Sequence, residues 1–141
     1  MKFFVIVLLF ALSLPCFAKD PGTTRSFDID LSQMSGTVVY AMVYQMVTEP
    51  IKFKGKHIKM KGNFSSYYDE EVDRRFYGCV ISDALACCSQ GLAFELSKPR
   101  KYPDDFPGEG SPITIEGTFD FEKDESGAGF PIIRNAEMRN N

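Results

Sequence analysis

The chain has no tryptophan, a single histidine and only four cysteines in 141 residues. It contains no Cys-x-x-Cys, no glycine-rich phosphate loop, no His-Glu-x-x-His and no recognisable Ser-His-Asp set. These absences remove the thioredoxin-like redox motif, the phosphate cradle, the helical zinc-protease site and the hydrolase triad from the functions it can perform. A basic surplus is missing too: 16 Lys and Arg stand against 19 Asp and Glu, for a net charge of −3. That balance suits solubility and not the neutralisation of phosphate backbones, so nucleic acid is not an expected partner. Beyond residue 18 no apolar run reaches the roughly 20 residues that span a bilayer. Three cysteines outside the N-terminal region do not make a disulfide-dense miniature, and packing has to supply most of the stability.

What is present begins with "MKFFVIVLLFALSLPCFA". Lys2 gives a positive start, Phe3 to Leu14 an apolar stretch interrupted only by Ser13, and "CFA" a small-x-small cleavage site after Ala18. This is the pattern of a signal peptide, and it makes the protein an exported one, periplasmic or secreted. Pro15 stands where a lipidated cysteine at 16 would want a small residue, so membrane tethering is not expected. Residues 19–34 are polar with early Pro and Gly and read as a flexible lead-in, although "FDIDL" alternates enough for a short edge strand.

Residues 35–141 read as one domain. In "SGTVVYAMVYQMVTEP", Val39, Met42, Val43 and Met46 recur at helical spacing, with Ser35 as N-cap and Pro50 closing the pattern. From Ile51 the period changes to two. "KHIKMKGNFSSYY", "RRFYGCVIS", "GLAFELS", "PITIEGTFDFEKD" and "FPIIRNAEMRN" read as five strands. The first is long and carries Gly62 in its middle, and the fourth carries Gly117; a glycine is how a strand bends to serve two halves of a barrel. The expected fold is mainly β: a five-stranded OB-like barrel with one N-terminal helix. The proline-rich "KPRKYPDDFPGEGSP" stands where such folds often carry a helix.

The combination of "GKHIKMKGNF", "FYGCVISDALACCSQGLAFEL" and "YPDDFPGEGSPITIEGTF" resembles a group of exported bacterial proteins, often lipoproteins, with an OB-like barrel and a Cys…Cys-Cys cluster. The resemblance covers roughly residues 35–138. More distantly, the Cys-Cys pair after a strand is similar to the C-terminal OB-like domain of periplasmic-facing, permease-associated membrane proteins. The resemblance implies the fold and export, and no activity.

Cys79, Cys87 and Cys88 are the most distinctive feature. Thiolates are soft ligands for zinc, Cu(I) or iron-sulfur chemistry, and Asp83 or His57 would complete a four-ligand zinc site. A disulfide from Cys79 to Cys87 or to Cys88 is the rival in an oxidising compartment, worth up to about 3 kcal/mol in the chain-entropy model. A strained Cys87–Cys88 bond, buried packing thiols, and a redox or nucleophilic thiol served by His57 are the other readings. Asp104, Asp105 and Glu109 are candidate calcium ligands on the proline-rich loop, where Tyr102 and Phe106 would pin that loop in place. Tyr67, Tyr68, Phe76 and Tyr77 form a candidate ligand-binding aromatic set, with cross-strand packing as the plainer alternative. No catalytic residue is assigned. The favoured reading is a non-enzymatic exported binding module for a small ligand, a metal or an envelope protein. A thiol-dependent redox or enzyme accessory, and a structural envelope protein, are the alternatives.

Overall fold

The structure, a computed structural model, describes residues 27–123 and 129–141. The signal peptide over 1–18 with its cleavage after Ala18, the start of the lead-in, and the middle of the hairpin after residue 123 lie outside the described residues. No described helix is long and apolar enough to cross a membrane.

Helix α1 spans Gly36–Thr48 and buries Val39, Val43 and Met46, three of the four residues at the expected spacing; Met42 packs beside them, half-buried. Ser35 occupies the N-cap with extended dihedrals but makes no side-chain capping bond. Pro50 cannot donate to the helix and instead opens a 3-10 turn over Pro50–Lys52. The apolar face of α1 packs on the strands and joins the same core cluster.

Six strands follow the chain as β1 (Ile29–Asp30), β2 (His57–Asp69), β3 (Arg74–Ser82), β4 (Ser89–Leu96), β5 (Pro112–Lys123) and β6 (Gly129–Asn140). The mainly β class and the single N-terminal helix are as expected. The strand count is one higher than expected, because β1 pairs in parallel with β2 through Ile29↔Ile58 and Asp30↔Lys59. Part of the segment read as a flexible lead-in is therefore built into the sheet. Its alternation explains this: Leu31 is buried and its amide donates to the Lys59 carbonyl.

Strand β2 serves two ladders. Its first half, His57 to Asn63, pairs antiparallel with β5, and its second half, Asn63 to Asp69, pairs antiparallel with β3. With β4 on β3, β6 parallel to β4, and β5 on β6, the order of pairing returns to β2 as a partial ring. The change of partner falls beside Gly62. A Cβ there would stand 2.7 Å from the Cys79 sulfur and 2.8 Å from the Val80 carbonyl oxygen, closer than real contacts allow. Gly117 marks a second corner: the β5–β6 register shifts between Glu116 and Thr118, and a Cβ would meet the Arg134 carbonyl at 2.6 Å.

The proline-rich segment between β4 and β5 is a loop held by aromatic contacts. Phe106 stacks on Tyr77 with centroids 4.4 Å apart, and Tyr102 lies under the Arg75 guanidinium at 4.0 Å. The Phe64 amide donates to Ser111 and the Gly110 amide to Phe64, tying the loop's end to β2.

Gly62→Ala is expected to cost about 1–3 kcal/mol, the usual range for forcing extra atoms into a packed core. Denaturant titration should show it as a lower midpoint at unchanged m-value. Gly36→Ala, whose Cβ would meet nothing within 4 Å, should leave the midpoint where it is or raise it slightly.

Candidate functional site

The β3–β4 hairpin carries all three described cysteines, and its register decides their fates. Ser82 pairs with Ser89, and the Asp83 amide donates to the Cys88 carbonyl at 2.9 Å, extending the ladder by one rung. The chain turns between them: the Ala86 amide donates to the Asp83 carbonyl at 3.0 Å, and Ala86 takes a left-handed φ of 55°. An alanine there is uncommon. The Cys87 amide donates to Asp83 Oδ1 at 3.0 Å, so the carboxylate organises the turn it begins.

Three donors converge at this turn. Asp83, Cys87 and Cys88 each offer one ligand atom, and all lie within 4.8 Å of one another. The Cys87 thiol donates to Asp83 Oδ2 at 3.1 Å, and the two sulfurs are 3.8 Å apart. Two sulfurs each about 2.3 Å from one zinc, at the tetrahedral angle, stand about 3.8 Å apart. The hydrogen bond from Cys87 is the main reason the Asp83 carboxyl sits below its usual range, with backbone N–H groups of the turn adding to it. By the same contact, Asp83 raises the Cys87 thiol, and the Cys88 sulfur adds to that effect. Both cysteines are exposed.

Two members of the expected ligand set are elsewhere. Cys79 is wholly buried in the core and pairs across the ladders with Phe64 and Leu92. It lies four residues before Asp83, about 13 Å along the strand at about 3.3 Å per residue. The structure does not bring Cys79 to either partner of the expected disulfide: all three thiols are free, and Cys88 stands four residues along β4's line from Leu92, the cross-strand partner of Cys79. His57 begins β2 in the half that pairs with β5, where its ring stacks on Phe27 at 5.2 Å and its amide donates to Asp28. The calcium candidates do not converge either. Glu109 accepts from the Ser66 hydroxyl and amide, Asp105 from the Lys101 amide, and Asp104 pairs with the Lys101 ammonium.

The four aromatic candidates divide between the two faces of the β2–β3 ladder. Tyr67 and Phe76 are direct partners and share one face. They line a shallow groove of about 220 Å³ with Ser65, Gly78, Gly91 and Ala93. On the other face, Tyr77 is committed to stacking on Phe64, Phe94 and Phe106, and Tyr68 donates to Asp73. The small floor residues escaped sequence reading, because their alignment exists only once the register of β3 on β4 is known.

Burial pushes the Cys79 thiol from 9.0 up to about 12. The unfolded chain loses that proton near pH 9 and the folded chain keeps it. Stability is thus expected to fall by roughly 1.4 kcal/mol per pH unit from about pH 9 towards 12. Denaturation at stepped pH should show Cys79→Ala shedding that part of the slope. Alkylation followed by mass spectrometry, at neutral pH, should label Cys87 and Cys88 while sparing Cys79 until the protein unfolds. Asp83→Asn should speed labelling of Cys87, since the charge that holds its proton is gone.

Comparison with known proteins finds no matching family model and no matching curated protein, so the functional reading rests on the geometry of the chain itself.

Proposed function

We propose that this chain is an exported OB-like binding module that holds a zinc ion through Asp83, Cys87 and Cys88. The observation that carries the reading is the convergence of two thiols and a carboxylate within 4.8 Å on one turn, with a sulfur–sulfur spacing of 3.8 Å. Thiolate and carboxylate are both ordinary zinc ligands, and the carboxylate favours borderline zinc over softer Cu(I). The OB-like assignment is supported by the double pairing of β2, the bends at Gly62 and Gly117, and the order in which the strands meet. Export is supported by the charged, apolar and small-residue pattern of residues 1–18.

The alternative of a ligand on the outer sheet face draws on the Tyr67–Phe76 groove, which is open and has small residues for a floor. Its lining offers hydroxyls from Ser65 and Tyr67 and no charged side chain to fix a ligand's orientation.

Protein purified under reducing conditions and titrated with zinc should bind one ion per chain, read by elemental analysis and by loss of free thiols. Cys87→Ser and Cys88→Ser should each abolish stoichiometric binding, and Asp83→Asn, which removes a direct ligand, should weaken it by at least the roughly 10- to 100-fold typical of losing an outer-shell partner. Cys79→Ala and His57→Ala should bind as the unaltered chain does. Equal loss in the Cys79 variant, or no uptake by the unaltered chain, would remove the reading.

A further inference from the structure

We infer that the metal at Asp83, Cys87 and Cys88 keeps one coordination position open to solvent, and that an exogenous small-molecule thiolate is its fourth ligand. This rests on the metal-binding reading above and goes beyond it. Among the described residues, the group that can ligate one ion holds three side chains and no fourth. The carboxylate presents one oxygen to the cluster: Asp83 Oδ2 meets the Cys87 sulfur at 3.1 Å, while Oδ1 accepts from the Cys87 amide at 3.0 Å. Cys79 is sealed in the core and His57 is held on another part of β2. The nearest hydroxyls along the ladder, Ser82 and Ser89, face each other at 3.5 Å.

Zinc takes four ligands, and three protein donors with an open position is the arrangement of zinc sites that accept an outside group. Two thiolates in the set leave the ion suited to another soft donor. The surroundings select further. Ala84, Leu85 and Ala86 form the tip of the same turn, and Leu85 is 84% exposed. An apolar body carried on the incoming sulfur has a surface to lie against. As the thiol binds, its proton passes to solvent and its sulfur replaces a water; no electron is exchanged.

Cobalt, which takes the same donors and reports them through its visible spectrum, makes the position observable. The mature protein, residues 19–141, reduced and anaerobic, is loaded with one equivalent of Co²⁺ and titrated with 2-mercaptoethanol and with benzyl mercaptan. A saturable rise in the sulfur-to-cobalt charge-transfer band is expected, with benzyl mercaptan binding several-fold more tightly. Leu85→Ser should remove that difference while leaving cobalt uptake intact. Bound cobalt whose spectrum ignores both thiols would mean a closed site and overturn the inference, leaving the metal reading in place. A stoichiometry of two chains per ion, seen by sedimentation, would also overturn it, since a second copy then supplies the missing ligands. Failure to bind cobalt or zinc at all would sink the metal reading and this inference together.

Discussion

Everything in this fold follows from one strand having to pair with two partners that lie in different directions. β2 gives its first half to β5 and its second half to β3, with Asn63 in both ladders. A continuous strand can do this only by bending sharply, and the bend puts the backbone at residue 62 against the neighbouring strand. The missing Cβ of Gly62 is matched by the Cys79 side chain, whose sulfur fills the space that a larger residue on either strand would contest. Cys79 therefore sits where the packing of this bend takes a small side chain. It is small, apolar and tolerant of burial, and its proton is held by the same exclusion of water that keeps it unreactive.

That bend also fixes where chemistry can occur. With Cys79 facing the core opposite Phe64 and Leu92, the β3–β4 ladder has to run on to Ser82 and Ser89 before the chain is free to turn. The next residue on each side belongs to the donor cluster: Asp83 follows the end of β3 and Cys88 precedes the start of β4. Asp83 serves the turn twice, through an amide bonded to the Cys88 carbonyl and a carboxylate that holds Cys87 by both its amide and its thiol. The loop is thus arranged by the residue that would also ligate the metal.

The strands, the helix and its core face were legible in the sequence, because each is written as a local periodicity: Val39, Val43 and Met46 at helical spacing, Ile58, Met60 and Phe64 at spacing two. The corners at Gly62 and Gly117 were legible because only a residue without a side chain fits there. The cysteine cluster was half legible. Cys87, Cys88 and Asp83 are four or five positions apart at most, and a turn brings them together with no help from the rest of the chain. Whether Cys79 joins them depends on strand register, and register is a property of pairing between segments. The ladder runs on from Cys79↔Leu92 to Ser82↔Ser89 before the chain turns, which leaves Cys79 about 13 Å back along the strand, and that length of pairing is invisible until β3 and β4 are laid side by side. The same holds for the aromatic set: Tyr67, Tyr68, Phe76 and Tyr77 look like one cluster in sequence, while the pleat sends Tyr67 and Phe76 to one face and Tyr77 to the other.

Separating the core thiol from the turn thiols has an energetic consequence. Small zinc domains are unfolded without metal because the metal's ligands are also their core. Here the core of Ile, Leu, Met and Phe side chains closes around Cys79, and the cluster stands outside it on an exposed turn. The turn is already shaped by hydrogen bonds from Cys87 to Asp83, so an ion bound as proposed would take the place of the Cys87 proton at a geometry the chain has set, with little backbone left to order. On the proposed reading the sheet would stay intact whether or not the turn holds its ion, because none of the core side chains belongs to the cluster.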